Sequence, residues 1–509
     1  MLMIKPSFLT LLLTVFFVSA FSQVKLPAII SDGMILQQKS KAALWGWAAP
    51  GETVSILPSW TGKKVSAKAD ASGKWMAYVK TAKAGGPHSI TFSSSNTITV
   101  TDVLLGEVWL ASGQSNMEFF IGKTSNASYT GVINHDAVMK DAEHPGIRQI
   151  DVPNKVADEP QQDFKGVWKK CTASTIDTFS AVAYFFALDI QKATRFPVGI
   201  INSTWGGTPA ESWTRKDVLQ NDPDLLPILD RYTKALEVYP KESEKYKTAL
   251  EKWRADTGKR KGAAPAAPMG PTHNKSPYKL YNGMIAPIQP YTLKGVLWYQ
   301  GESNADRAFQ YRNLFTKMIR QWRTEWNAPK LPFYFVQISP HRSQNPEIRD
   351  AQLYVYRTVP ATGIVVTTDN GDSLDIHPRN KELVGSRLAR WALKNEYGKK
   401  DVVVSGPLYK SMKVEGSKIR IRFDHADGLR AADGTLKEFM IAGADSVFVP
   451  AVAEISGNSV LVWSDKVQQP KAVRFAWRNI PKADLVNKEG LPASPFRTDN
   501  YTLTTQSRK

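Results

Sequence analysis

Ser115 stands in the stretch 109–120 (WLASGQSNMEFF), where a short apolar run meets Gly113 and turns polar. A hydroxyl displayed at the end of a buried strand can act as a nucleophile, although a serine beside a glycine is more often a turn or a helix cap. Acyl transfer through serine needs three more parts: an imidazole base, a carboxylate that orients it, and donors for the oxyanion. The sequence has seven histidines. His88 and His425 lie in strand-rich flanking regions, His273 in a low-complexity connection, and His135 and His144 in the polar stretch after the serine. His341 follows an apolar run, and His377 lies in DNGDSLDIHP at 369–378, with Asp375, Asp372 and Asp369 close before it. Both remain candidates for the base. The N–H of Ser115, the N–H of Gly206 or Gly207 in NSTWGGT (202–208), and the side-chain amide of Gln300 in QGESN (300–304) are candidate oxyanion donors. Glycine admits close approach of a ligand to the backbone.

These residues need a frame. From residue 107 onward, apolar runs alternate with helical patterns. VWLAS, FPVGIINSTWGG, LKGVLWYQ, LPFYFVQIS and TGIVVTTDN read as strands, while 181–193, 311–326, 348–359 and 379–397 have helical spacing. Alternation of this kind predicts an α/β domain with a mainly parallel sheet and helices on both faces. In such a sheet the working residues gather at the carboxyl ends of the strands, where GQSNM, NSTWGGT, QGESN and DNGDSLDIHP all fall. Residues 216–275 interrupt the alternation with a charged helical stretch (225–253) and a low-complexity connection, GAAPAAPMGP at 262–271. Residues 23–105 are rich in strand and turn signals and predict an N-terminal β domain, and residues 402–509 predict a C-terminal β region. The α/β domain is thus expected over 106–401.

Residues 1–22 read as a targeting segment. Lys5 precedes an apolar run at 8–20, too short to span a bilayer comfortably, and Ala20-Phe21-Ser22 supplies small residues for cleavage before Gln23. A cleaved leader implies a periplasmic or secreted bacterial protein with no integral membrane segment afterwards. Cys171 is the only cysteine, which excludes an intramolecular disulfide and a multi-cysteine zinc site. Hydrophobic residues at 42% and charged residues at 22% fit a folded globular chain. The net charge of +19 is spread along the sequence with no nucleic-acid-binding motif, so a basic surface is read rather than a nucleic-acid partner. No metal motif, P-loop or dinucleotide glycine motif occurs, and no cofactor is expected. Trp205, Trp213 and Trp298 near the loops either stack on sugar rings or belong to the core.

GQSNM, NSTWGGTPAESW (202–213), LYNGMIAP (280–287), WYQGESN (298–304) and DIHPRNK (375–381) together resemble the sialate O-acetylesterase family of the SGNH hydrolases, some of whose members act on acetylated plant polysaccharides. The likeness runs over nearly the whole chain after the leader, with five motifs in the family's order. It implies a flavodoxin-like, doubly wound parallel sheet. It implies Ser115 as nucleophile, His377 as base, and Gly207 and Gln300 beside the Ser115 N–H in the oxyanion hole. The superfamily's usual last block places the aspartate three residues before the histidine. That position is Leu374 here, so Asp375 is taken as the acid and Asp372 as the second candidate. A carboxylate beside His377 is expected to raise its pKa above the ordinary value of about 6.5. The implied activity is hydrolysis of acetyl esters on sialic acid or other glycans through a serine acyl-enzyme. Alternatives are an acetylxylan or pectin-type acetylesterase, an esterase for lipids or thioesters, and a non-catalytic glycan-binding protein.

Overall fold

One strand of 17 residues, Thr97–Gly113, joins the two halves of the molecule. Its first half alternates exposed and buried positions and pairs antiparallel with Gly85–Ser93 of the N-terminal β region. Its second half is buried on both faces, as a central parallel strand must be, and pairs parallel with Val198–Thr204 and Gly295–Tyr299. The boundary expected at 105/106 therefore falls inside a continuous strand rather than in a linker. The computed structural model describes residues 23–124, 129–256, 262–482 and 484–509. The expected leader at 1–22, with its cleavage site, lies outside the described residues.

The central sheet runs Thr362–Val365, Phe333–Val336, Gly295–Tyr299, Thr97–Gly113, Val198–Thr204, His144–Asp151 and Lys169–Cys171. All neighbours are parallel except the short edge strand Lys169–Cys171. Chain order reverses around Thr97–Gly113: later strands lie on both sides of it. This is the switch point at which open α/β sheets hold their ligands, and Ser115 follows it directly.

Aromatic side chains show how the helices cover the sheet. On one face Trp109 packs against Phe186 of helix Ala181–Thr194 and stacks on Tyr334, which stacks in turn on Trp391 of helix Lys381–Asn395. On the other face Trp298 packs against Phe315 and Trp322 of helix Ala308–Glu325. These rings are nearly fully buried, and each contributes roughly 2–3 kcal/mol of burial free energy. Both Trp213 and Trp298 are fully buried, which settles them as core residues, while Trp205 is half-buried.

The helical stretch expected within 225–253 is helix Leu226–Ala255, and no regular element follows it between residues 262 and 270. Beyond residue 402 the described residues form two four-stranded antiparallel sheets and a two-stranded pair. Among the described residues no helix is long and apolar enough to cross a membrane.

Candidate active site

Gly113 ends the central strand with φ +135, and a Cβ there would lie 2.2 Å from the Tyr299 carbonyl oxygen, so only glycine fits. The chain then turns into the short helix Ser115–Glu118. Ser180, the N-cap of helix Ala181–Thr194, donates its hydroxyl to the Met117 carbonyl at 2.6 Å and pins this turn to the helix. Ser115 is thereby fixed at the strand end, 5% exposed.

His377 meets it there. Nε2 of His377 lies 2.7 Å from Oγ of Ser115 across 262 residues of sequence. With the hydrogen on Nδ1, the serine hydroxyl donates to Nε2, which is the geometry of a general base on a nucleophile. The other candidate, His341, turns its Nδ1 to the Ser343 hydroxyl at 2.7 Å. Among the described residues His377 is the histidine in contact with Ser115.

The three aspartates separate clearly. Asp369 is held bidentately by Arg387 at 2.7 and 2.6 Å and is structural. Asp372 accepts the backbone N–H groups of Leu374 and Asp375, forming the turn of the loop. Those bonds hold its carboxyl below the usual range. Asp375 accepts the His377 N–H at 2.9 Å and stands 3.6 Å from His377 Nδ1, too far for a hydrogen bond but the nearest carboxylate to the ring.

The expected rise in the histidine's basicity is not what this environment produces. Burial first, then the positive charge of Lys381, push the His377 pKa down to about 4, and Asp375 offsets only part of that. The carboxylate is half exposed and not hydrogen-bonded to the ring, so it is the weaker influence.

The oxyanion candidates also divide. Gly207 has φ +71, open space around its α-carbon, and an N–H with no acceptor among the described residues. The N–H of Ser115, at the start of its short helix, is likewise free. The Gly206 N–H is already given to Glu118 Oε2 at 2.6 Å. Gln300 must be corrected. Its side chain is fully buried, with Nε2 donating to Asn304 Oδ1 at 2.7 Å and the Thr208 carbonyl at 3.2 Å, and Oε1 accepting from the Tyr311 hydroxyl. The strand end turns this amide inward to tie loops together, so both its donors are consumed before any oxyanion could use them.

Polar groups that the sequence reading did not single out complete the site. Burial raises the pKa of Glu118 to about 7, and the Tyr129 hydroxyl bonds to its carboxyl while the Tyr129 ring packs on His377 at 5.2 Å. Behind Ser115, Asn116 donates to Glu302 Oε1 at 2.7 Å and to the Ile376 carbonyl at 3.1 Å, and it accepts from Lys381 Nζ at 2.5 Å. Asn116, Glu302 and Lys381 lie inside GQSNM, QGESN and DIHPRNK, and for the first two a polar residue just after an apolar strand was the available signal. Among the described residues no group of three or more histidine, cysteine or acidic side chains is placed to hold a metal ion.

A serine hydroxyl on an imidazole, with the serine's own N–H free at the switch point of a parallel sheet, is the equipment of a serine ester hydrolase. Residues 248–394 match the family model described as carbohydrate esterase, sialic acid-specific acetylesterase. The sialate O-acetylesterase of Rattus norvegicus is 30% identical over 522 residues, spanning 92% of this chain and 93% of the relative. That of Homo sapiens is 28% identical over 92% of this chain and 91% of its own. The crystal structure of a carbohydrate acetylesterase from Xanthomonas citri superposes with a TM-score of 0.79 at 35% identity, covering 94% of this chain and all of the other. The chain belongs to the sialate O-acetylesterase family of carbohydrate esterases.

Proposed function

We propose that this protein hydrolyses O-acetyl esters on carbohydrates through an acetyl-serine intermediate, on an SGNH-type, flavodoxin-like α/β domain. The observation that carries the reading is the 2.7 Å contact between Ser115 Oγ and His377 Nε2 at the sheet's switch point. The family's relatives are named sialate O-acetylesterases, and the Xanthomonas structure is titled a carbohydrate acetylesterase.

In the proposed reaction Ser115 Oγ attacks the acetyl carbonyl carbon and passes its proton to His377 Nε2. The oxyanion of the tetrahedral intermediate takes hydrogen bonds from the N–H groups of Ser115 and Gly207. Collapse breaks the bond to the sugar oxygen, which takes the proton back from His377 and leaves as a hydroxyl. A water molecule then gives its proton to His377 as it attacks the acetyl-serine. The second collapse restores the serine hydroxyl and releases acetate. Asp375 faces Nδ1 and favours the tautomer this cycle needs.

The positive start and short apolar run of residues 1–22 support export to the periplasm or beyond. Acetate release from O-acetylated sialic acids, acetylxylan and acetylated pectin, measured side by side, tests the reading and ranks the substrates. Binding of these glycans without release of acetate from any acetyl ester would favour a glycan-binding protein instead.

A further inference from the structure

Lys381 occupies a place that electrostatics alone would deny it. It is the first residue of helix Lys381–Asn395, where the helix dipole repels a cation, and its side chain is 1% exposed. Such a placement persists only where partners hold the charge. Its Nζ donates to Asn116 Oδ1 at 2.5 Å and lies 4.5 Å from the ring centre of Phe119 and 5.6 Å from that of Tyr299. Glu302 lies across the Asn116 amide, whose Nδ2 donates to Glu302 Oε1 at 2.7 Å; burial raises the pKa of this carboxyl, and Asn116 and Lys381 oppose that rise. The second carboxyl oxygen of Glu302 is buried without a partner, so the glutamate's polar contact with this network is the amide.

The amide joins what the reaction must keep together. Asn116 is the neighbour of Ser115, and the Ile376 carbonyl it grips at 3.1 Å belongs to the neighbour of His377. A single side chain therefore spans from the serine turn to the histidine loop, with Lys381 and Glu302 fixing its two ends. We propose, on the reading of Ser115 and His377 given above, that Lys381 is a positioning residue: through Asn116 it holds the His377 ring at Ser115, and it places a buried positive charge beside that ring.

The charges around His377 fit this role. The ring is faced by Lys381 and by Asp375 on its own loop, by His341 from the loop after Phe333–Val336, and by the Tyr129 ring, while Lys381 is faced by Glu302 and Asp375. Burial lowers the Lys381 pKa to about 7, which leaves the lysine charged throughout the acidic range in which His377 takes up its proton. The like charge of Lys381 disfavours the imidazolium and so keeps the base free at lower pH.

The test compares Lys381→Met and Asn116→Ser with wild type for kcat, KM and the acid limb of the kcat/KM profile on an acetyl ester. Ser115→Ala and His377→Ala are run alongside. Lys381→Met should lose about tenfold or more in kcat with KM nearly unchanged, and its acid midpoint should rise by on the order of one pH unit. Asn116→Ser should lose kcat similarly, with a smaller rise of the midpoint than Lys381→Met, because the lysine stays in place while losing its amide partner. Its result stands by itself should Lys381→Met fail to fold. Wild-type kcat in Asn116→Ser, or an unmoved midpoint in a folded Lys381→Met, overturns the proposal while the serine and histidine variants are inactive. Full activity in Ser115→Ala would instead remove the reading on which it rests.

Discussion

Asp375 grips the backbone of His377 more closely than its ring: the same Oδ1 accepts the His377 N–H at 2.9 Å and stands 3.6 Å from Nδ1. The acid of this site is thus arranged first as part of a turn and only second as a partner of the imidazole. A tightly bonded triad aspartate accounts for about 10⁴ in kcat. Asp375→Asn should cost less, about 10- to 100-fold. Asp372→Asn keeps an acceptor for the turn and touches no ring contact, so it should cost less again. Steady-state kinetics of the two variants decide it, and the reverse ranking would move the role to Asp372.

The pH dependence follows from the lowered basicity of His377. A base works in its neutral form, and burial with Lys381 brings the pKa down to about 4. The kcat/KM of wild type should therefore stay level from neutral into mildly acidic solution and fall only as the pH drops toward that value. A midpoint near the ordinary histidine value of about 6.5 would show that Asp375 dominates the ring in solution.

Gln300 gives a prediction about stability. Truncation to alanine takes the buried donor from the Thr208 carbonyl and one of two partners each from Asn304 Oδ1 and the Tyr311 hydroxyl, and leaves a cavity. Gln300→Ala should destabilise the fold by about 2–4 kcal/mol, visible as a lower Tm. An oxyanion role would show the opposite pattern, with an unchanged Tm and a kcat reduced about 10²-fold or more.

Export is tested at the N-terminus. Mass spectrometry of the protein from its native host should find a chain beginning at or near Gln23 outside the cytoplasm. An intact Met1 on cytoplasmic material contradicts it.

The sequence made the frame legible because its signals were strong and local. The helix expected at 181–193 is Ala181–Thr194, since nine of its fourteen residues are buried and Ser180 caps it. The helix expected at 379–397 begins instead at Lys381, because Asn380 supplies the cap by accepting the Leu383 N–H. Ser115 and His377 stood out because a strand end precedes each. What did not show was direction. Nothing in QGESN says that Gln300 faces inward to Asn304 and Tyr311 while Glu302 faces Asn116, because that depends on the turn after Tyr299. Long-range pairs such as Lys381 with Asn116, 265 residues apart, form only once the sheet brings three loops together. The joint between the β region and the α/β domain was hidden for a different reason. Strand Thr97–Gly113 changes from one-sided to two-sided burial across Asp102 and Gly106, turn-type residues through which the chain nevertheless stays paired.

The most direct test of the account is mass spectrometry of the protein mixed rapidly with an activated acetyl ester and quenched in acid, with acetate release measured in parallel for Ser115→Ala. Wild type should carry one acetyl group on the peptide containing Ser115, and Ser115→Ala should lose about 10³-fold or more in turnover with its circular dichroism unchanged. Acetate release at the wild-type rate from Ser115→Ala, or acetylation at another residue that disappears with turnover, would contradict it.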